Sequence, residues 1–280
     1  EIFVIDSFST DTTRNLAQSC GAHILQNKFI NYSKQFQWAL DNAPITARWI
    51  MRLDADEIIE PDLAEEIREK LPALSDEVVG VNLKRKHIFL GRWIRHGGRY
   101  PLILLRIWRR GCGRIEDRWM DEHIVVTGGT VVTFEGGFAD HNLNDLTFFT
   151  DKHNKYATRE AVDIINQRRR LFPIDADWSS EKNSTQAEIK RKIKEKIYNK
   201  IPYQLGSFMY FLYRYLFRAG FLDGKEGLVY HGLQGFWYRF LVGAKVEELE
   251  RKIADLQDPA AVLAVLREST HLAIDDPSGT

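Results

Sequence analysis

Cysteine is nearly absent from this chain of 280 residues. The two present, Cys20 and Cys112, form neither a CxxC pair nor a Cys/His spacing suited to zinc. A disulfide scaffold and a zinc module are therefore excluded, and reduced thiols in a cytosolic setting are the simplest account. Net charge is missing too. With 39 basic and 39 acidic residues the formal charge is zero, so bulk electrostatics does not argue for nucleic acid as a partner. No signal peptide opens the sequence as given. The chain begins without Met, in mid-strand at Glu1-Ile2-Phe3-Val4-Ile5-Asp6, and an N-terminal piece is expected to precede it. A bilayer crossing needs roughly 18–20 apolar residues. The most apolar segments, Leu205–Phe217 and Leu228–Ala244, are near or below that length and are interrupted by Arg214 and Arg239. The GxGxxG of a dinucleotide-binding domain is also absent.

What is present is an alternation. From residue 1 to about 150, short apolar strands alternate with amphipathic helical segments, which is the pattern of an α/β fold. Ile2–Ile5 reads as a buried parallel strand, followed by a loop to Asp11. Thr12 or Asp11 caps a helix to about Cys20, and Gly21 ends it. Ala22–Gln26 is a second strand, Lys34–Leu40 a helix, and Pro61 starts another helix reaching about Leu71.

Between the last two helices runs Trp49-Ile50-Met51-Arg52-Leu53-Asp54-Ala55-Asp56-Glu57. Carboxylates at i and i+2 on an extended backbone point the same way, so Asp54 and Asp56 can share a divalent cation and the diphosphate that it neutralises. A solvated acidic turn fits the same residues. Ligands of open parallel sheets gather at the carboxyl ends of strands, where Asp6, Asp54 and Asp56 are all expected.

Val4-Ile5-Asp6-Ser7-Phe8-Ser9-Thr10-Asp11 followed by Arg52-Leu53-Asp54-Ala55-Asp56-Glu57 resembles glycosyltransferase family 2 with a GT-A fold. The resemblance implies a Rossmann-like, mostly parallel sheet flanked by helices. It places Asp6 at a uracil, Ser7 among the nucleotide-sugar contacts, Asp54 at the ribose or sugar, and Asp56 on a Mg2+ or Mn2+ ion. The family's usual Arg-Asn near the next helix is here Phe36-Gln37, which leaves Gln37 as a nucleotide-side candidate. Lys34 is a candidate phosphate contact or a solvated helix lysine.

Val79–Leu83 is a strand, and the segment Lys84–Pro101 after it mixes aromatic and basic residues around Gly91 and Gly97-Gly98. Flat rings and guanidinium forks suit sugars and phosphates, making Arg92, Trp93, His96 and Tyr100 acceptor-binding candidates; an exposed basic hairpin is the other reading. Leu102–Trp108 is a further strand, ending in Arg109-Arg110, and Gly111-Cys112-Gly113 is a flexible turn.

A second acidic cluster, Glu116-Asp117-Arg118-Trp119-Met120-Asp121-Glu122-His123, follows. An inverting transfer needs one carboxylate to take the proton of the attacking hydroxyl. The triplet Asp121-Glu122-His123 resembles the family's base motif, with preference in the order Asp121, Glu122, Asp117, and with His123 an extra metal ligand or diphosphate contact. Pairing of these acids with Arg114 and Arg118 on a surface loop is the bland alternative.

Beyond about residue 135 the character changes. A helix from Leu146 to about Gln167 is followed by a loop-like insert, Arg168–Ser184, and a basic run from Lys190 to Lys200. Basic residues beside aromatic amphipathic helices suit an anionic membrane interface, while a packed helical hairpin, on the catalytic domain or on a second subunit, is the alternative. The chain is accordingly divided into a GT-A catalytic domain (1–150, first strand apparently missing), a helix, insert and basic linker (151–200), aromatic-rich amphipathic helices (201–245) and a helical tail ending in disorder (246–280).

Tyr210–Tyr215, Gly220–Gly227 and Gln234–Phe240, with Arg92–Gly98 and Trp119–His123, are similar to bacterial lipopolysaccharide inner-core β-1,4-glucosyltransferases. That resemblance implies transfer of a hexose, glucose from UDP-glucose, to a lipid-linked saccharide, by an enzyme peripheral on the inner face of the bacterial plasma membrane. Oligomerisation through the C-terminal helices is a further expectation. A sugar nucleotidyltransferase and a catalytically inactive membrane-associated homologue are the rival readings.

Overall fold

The computed structural model describes residues 1–116, 122–141, 143–172, 201–272 and 274. Asp117 and Asp121, most of the 168–184 insert, the basic run from Lys190 to Lys200 and the last residues of the tail lie outside the described residues. The chain divides into two compact units. The first comprises Glu1–Asp54, Pro61–Leu83 and Ile103–Gly136, and the second Ala55–Glu60, Lys84–Leu102 and Gly137–Thr280.

In the first unit, β1 (Phe3–Asp6) pairs in parallel with β2 (His23–Gln26), as expected, through α1 (Thr13–Ser19). Thr12 occupies the cap position of α1 without a side-chain bond, while Asp11 accepts from the Thr13 N–H at 3.0 Å. Helix α2 (Tyr32–Asn42) starts two residues earlier than the sequence suggests because Asn31 caps it, accepting from Lys34 N–H at 2.8 Å. Strand β3 (Trp49–Met51) runs antiparallel to β7 (Leu102–Arg109), and β7 lies beside the first part of β5 (Val78–Phe89), itself beside β10 (Thr130–His141).

Helix α3 (Pro61–Lys70) buries Leu63 and Glu66; the latter accepts from the Glu135 and Gly136 N–H groups of β10 at 3.1 and 2.7 Å. The turn expected at Gly111-Cys112-Gly113 is present, and it leads into a short antiparallel pair, β8 (Gly113–Ile115) and β9 (Ile124–Val126), on either side of the acidic cluster. Trp108, Ile115 and Ile124 form a core cluster with Phe36 and Leu40 of α2 packed against it. Each large apolar side chain so buried contributes about 1.5–3 kcal/mol.

In the second unit, β4 (Glu57–Ile59) pairs antiparallel with the end of β10, and β6 (Arg92–Trp93) with the end of β5. Neither β4 nor β10 was read from the sequence. Helix α4 (Leu146–Arg169) is capped by Asp145. After it come α5 (Tyr203–Leu212), a π-helical turn Tyr213–Phe217, α6 (Gly224–Tyr230), a second π-helical turn His231–Trp237, α7 (Tyr238–Lys252) and α8 (Pro259–Thr270). Ala161 and Ile165 of α4, Val242 and Leu249 of α7 and Leu263 and Leu266 of α8 share one core. The sheets are thus mixed rather than mostly parallel: β1–β2 is parallel, whereas β3–β7, β4–β10, β5–β6 and β8–β9 are antiparallel. Short reversals such as Leu90-Gly91 join antiparallel neighbours, while a parallel pair needs a crossover such as α1.

Candidate active site

Asp6 ends β1, and it is buried. Its carboxylate accepts from the Ser9 N–H at 3.1 and 3.2 Å and from Gln26 Nε2 at 3.0 Å. The bonds from Ser9, against the opposing cost of burial and with help from Gln26, hold Asp6 below the usual carboxylate range. Ser7 is tied down separately: Gln35 Nε2 donates to its Oγ at 3.1 Å, and Asn27 Nδ2 donates to Gln35 Oε1 at 2.9 Å. The α2 residue that reaches this loop is therefore Gln35. Gln37 is occupied elsewhere, donating to Asp41 at 2.9 Å and accepting from Ile115 N–H at 3.2 Å. It also borders a concavity with Leu40, Asp41, Ile50 and Arg110. Lys34 is half-buried on the first turn of α2.

Asp54 lies three residues past β3 in the first unit. Arg52 Nε donates to its Oδ1 at 3.1 Å, and an Arg106 guanidinium nitrogen stands 3.5 Å from Oδ2. Arg52 also reaches Glu122, with Nη2 to Oε1 at 3.3 Å. Burial opposes the charged form of Asp54, but the pull of Arg52 and Arg106 outweighs it and the carboxyl sits below its ordinary range. Arg52 is in turn raised: burial disfavours its charge, and Asp54 with Glu122 overrides that. Its guanidinium stands 5.2 Å from the centre of the Phe36 ring, so the departure at Phe36-Gln37 supplies an aromatic floor under the bridge. One arginine thus joins the first aspartate of the Asp-x-Asp to a member of the distant acidic cluster.

Neither Arg52 nor Arg106 was singled out from the sequence, although a lone arginine inside the apolar run Leu102–Trp108 was a usable signal. His123 is exposed, with Nδ1 3.4 Å from Glu116 Oε2. The chain turns at Ala55-Asp56, so Asp54 and Asp56 do not sit on an extended strand. Asp56 belongs to the second unit, directly before β4, and its carbonyl accepts from the His141 N–H at 2.9 Å. His141, at the end of β10, therefore stands beside the motif.

The sequence profile of Glycosyl transferase family 2 matches residues 1–140, half of the chain. The chain belongs to glycosyl transferase family 2. Among curated proteins, the chain is similar to the lipopolysaccharide core biosynthesis glycosyltransferase LpsC of Rhizobium meliloti (strain 1021), at 30% identity over 176 residues. That stretch covers 61% of this chain and 64% of the relative, just under two thirds. The mixed α/β architecture with a central sheet and C-terminal helices is consistent with the GT-A fold.

The acceptor candidates of this family-2 chain all lie in the second unit. Arg92 is exposed, donating to Leu222 O at 3.3 Å and standing 4.0 Å from Glu226. Trp93 packs edge-on against Tyr100 at 4.8 Å, with Lys86 and Arg95 5.2 and 5.3 Å from its ring centre, so it is not a bare platform. His96 uses its N–H and Nδ1 on the buried Asp223, at 2.9 and 2.6 Å. Among the described residues, no group of three or more His, Cys, Asp or Glu side chains is placed to hold a metal, and no helix is long and apolar enough to cross a membrane. The donor chemistry is nevertheless suited to a hard cation, since Asp56 offers an oxygen ligand without an ion-pair partner among the described residues and a diphosphate would supply others.

Proposed function

We propose that this chain is an inverting, metal-dependent GT-A glycosyltransferase. It moves a hexose, glucose from UDP-glucose, to a lipid-linked glycan acceptor of the lipopolysaccharide core or a related cell-envelope polysaccharide. The observation that carries the reading is the Arg52 bridge between Asp54 and Glu122, which couples a donor-side carboxylate to the acidic cluster expected to provide the base. The similarity to the Rhizobium lipopolysaccharide core biosynthesis glycosyltransferase supports the choice of acceptor class.

Asp6, set by Ser9 and Gln26, reads the uracil edge, and Ser7, positioned by Gln35, faces the same end of the nucleotide. Asp54, kept ionised by Arg52 and Arg106, accepts hydroxyls of the ribose or sugar. Asp56, with His141 beside it, would hold the Mg2+ or Mn2+ ion, whose role is to neutralise the departing diphosphate. Asp121, or Glu122 next to it, takes the proton of the acceptor hydroxyl as that oxygen bonds to the anomeric carbon. The bond from that carbon to the diphosphate breaks, and UDP leaves with the electron pair. Glu122 already balances Arg52, which favours Asp121 as the base.

Membrane association fits the exposed stripe Leu205, Phe208, Met209, Tyr213, Leu216 and Phe217, with buried Gly206, Ser207 and Arg214 behind it. No acid occurs from Tyr203 to Leu222, while Arg218 is exposed, so the surface matches an anionic bilayer interface. Calorimetry of UDP with Mn2+ tests the nucleotide half of the proposal. Saturable binding that Asp56→Ala weakens is expected, and absence of UDP binding by the unaltered chain overturns it.

A further inference from the structure

The second unit contains an alternation of arginine and tyrosine that the reading above does not use. The Arg99 guanidinium lies 5.4 Å from the Tyr230 ring centre, and that of Arg214 lies 5.8 Å from the same ring. Arg214 also stands 5.6 Å from the Tyr210 ring, over which Arg239 sits at 4.4 Å. Three cations are thereby threaded through two aromatic rings. Arg214 is only 4% exposed; its Nε donates to the Gly97 carbonyl at 2.9 Å, and its Nη2 is buried without a hydrogen-bond partner. Nε of Arg99 and Nε of Arg239 are likewise buried and unpartnered.

The neighbouring acids are engaged elsewhere. Asp223 takes two bonds from His96, and Asp140 is bound by Arg85 and His87. A guanidinium cannot shed its proton, and burying it without a counter-charge is costly. Cation–π contacts return only part of that cost. Beside the ladder lies His231, fully buried, with both ring nitrogens unpartnered. Burial first and the charge of Arg214 second push it down to about 4, so it stays neutral in an electropositive setting. Arg99, Tyr210 and Arg239 are half-buried rather than sealed, which leaves the ladder open to a ligand.

We propose that Arg99, Arg214 and Arg239, spaced by Tyr230 and Tyr210, bind a phosphate or carboxylate carried by the saccharide acceptor. Guanidinium forks match both anions bidentately, and the tyrosine faces suit the sugar ring that bears them. The inference rests on the glycosyltransferase reading for the word acceptor, while the anion site itself does not depend on turnover.

The test is calorimetry of the full chain with glucose 6-phosphate, gluconate, inorganic phosphate and glucose. The sugar phosphate and the sugar acid should each bind at least about tenfold more tightly than glucose, and Arg99→Gln and Arg239→Gln should each weaken them about tenfold. Arg239→Lys, which keeps the charge, should retain part of the affinity. Melting temperatures near that of the unaltered chain, together with unchanged binding of UDP and Mn2+, show that the variants are folded. Failure of both charged sugars to bind, equal binding of inorganic phosphate, or competition by UDP each overturns the proposal. Loss of UDP binding with sugar-phosphate binding intact would instead count against the donor site.

Discussion

Arg52 Nε donates to Asp54 Oδ1 at 3.1 Å, so the first carboxylate of the Asp-x-Asp is already paired by a residue two positions before it. With Arg106 on its other oxygen, Asp54 is suited to receive hydroxyl groups rather than a metal, and the cation falls to Asp56. The same arginine holds Glu122, so its loss takes that partner from Glu122 and leaves Asp54 with Arg106. Arg52→Gln should destabilise the chain by about 1–2 kcal/mol, between the values for exposed and for buried ion pairs, because the Asp54 side chain is 42% exposed. It should also lower turnover more than Asp54→Asn does. Urea denaturation and UDP-release assays on both variants check this, and a stable Arg52→Gln with unaltered turnover contradicts the bridge's role.

Asp56→Ala and Asp121→Asn should each abolish transfer while leaving the fold intact. Removing the base should cost at least about 10²–10⁴-fold in rate. The two variants separate by binding, because Asp121→Asn should retain the affinity for UDP and Mn2+ that Asp56→Ala loses. Turnover near that of the unaltered chain in either variant removes the corresponding assignment.

His231 gives stability a pH dependence. Its ordinary value is 6.5 and burial brings it to about 4, so the unfolded chain binds more protons between those values. The stability that comes from keeping it neutral is complete above pH 6.5 and is lost as pH falls toward 4, on the order of 3 kcal/mol in all. A Cβ built on Gly97 would overlap the His231 ring, and one on Gly220 would come within 2.7 Å of it, so both glycines are needed for the ring to seat. Urea midpoints at pH 7.5 and 4.5 for the unaltered chain and for His231→Leu measure the effect; identical pH slopes would refute it.

The apolar stripe makes a separate prediction. Phe217, 80% exposed, and Phe221 are expected to enter the interface of vesicles containing phosphatidylglycerol. Replacing both with Ser should weaken vesicle binding of the full chain several-fold, and raising salt should weaken it further through the basic residues. Cosedimentation reads both effects. Binding that is indifferent to the double substitution moves the attachment elsewhere.

Local chemistry made much of the fold legible. The apolar run Ile2–Ile5, the Gly21 stop and Pro61 at a helix start all correspond to observed elements, because each depends on neighbours in sequence. Strands β4 and β10 escaped because short or glycine-containing segments gain their strand character from pairing, as Ala139 does with Ile58. Asp6 and Asp54 stood out as acids following apolar runs. Their partners Gln26 and Arg106 did not, and neither did the contacts of Gln35 with Ser7 and of Arg52 with Glu122, itself a base candidate: all form through long-range packing, which no spacing rule encodes. His141 likewise meets Asp56 only through the β10–β4 register.

The most direct measurement is of the products formed from UDP-glucose by the full chain with Mn2+ and a bacterial glycolipid extract. An inverting transferase releases UDP, not pyrophosphate, and forms a new glycolipid whose added hexose has the anomeric configuration opposite to that of the donor, with both products lost in Asp56→Ala. Release of pyrophosphate, retention of configuration, or no Asp56-dependent product would contradict it.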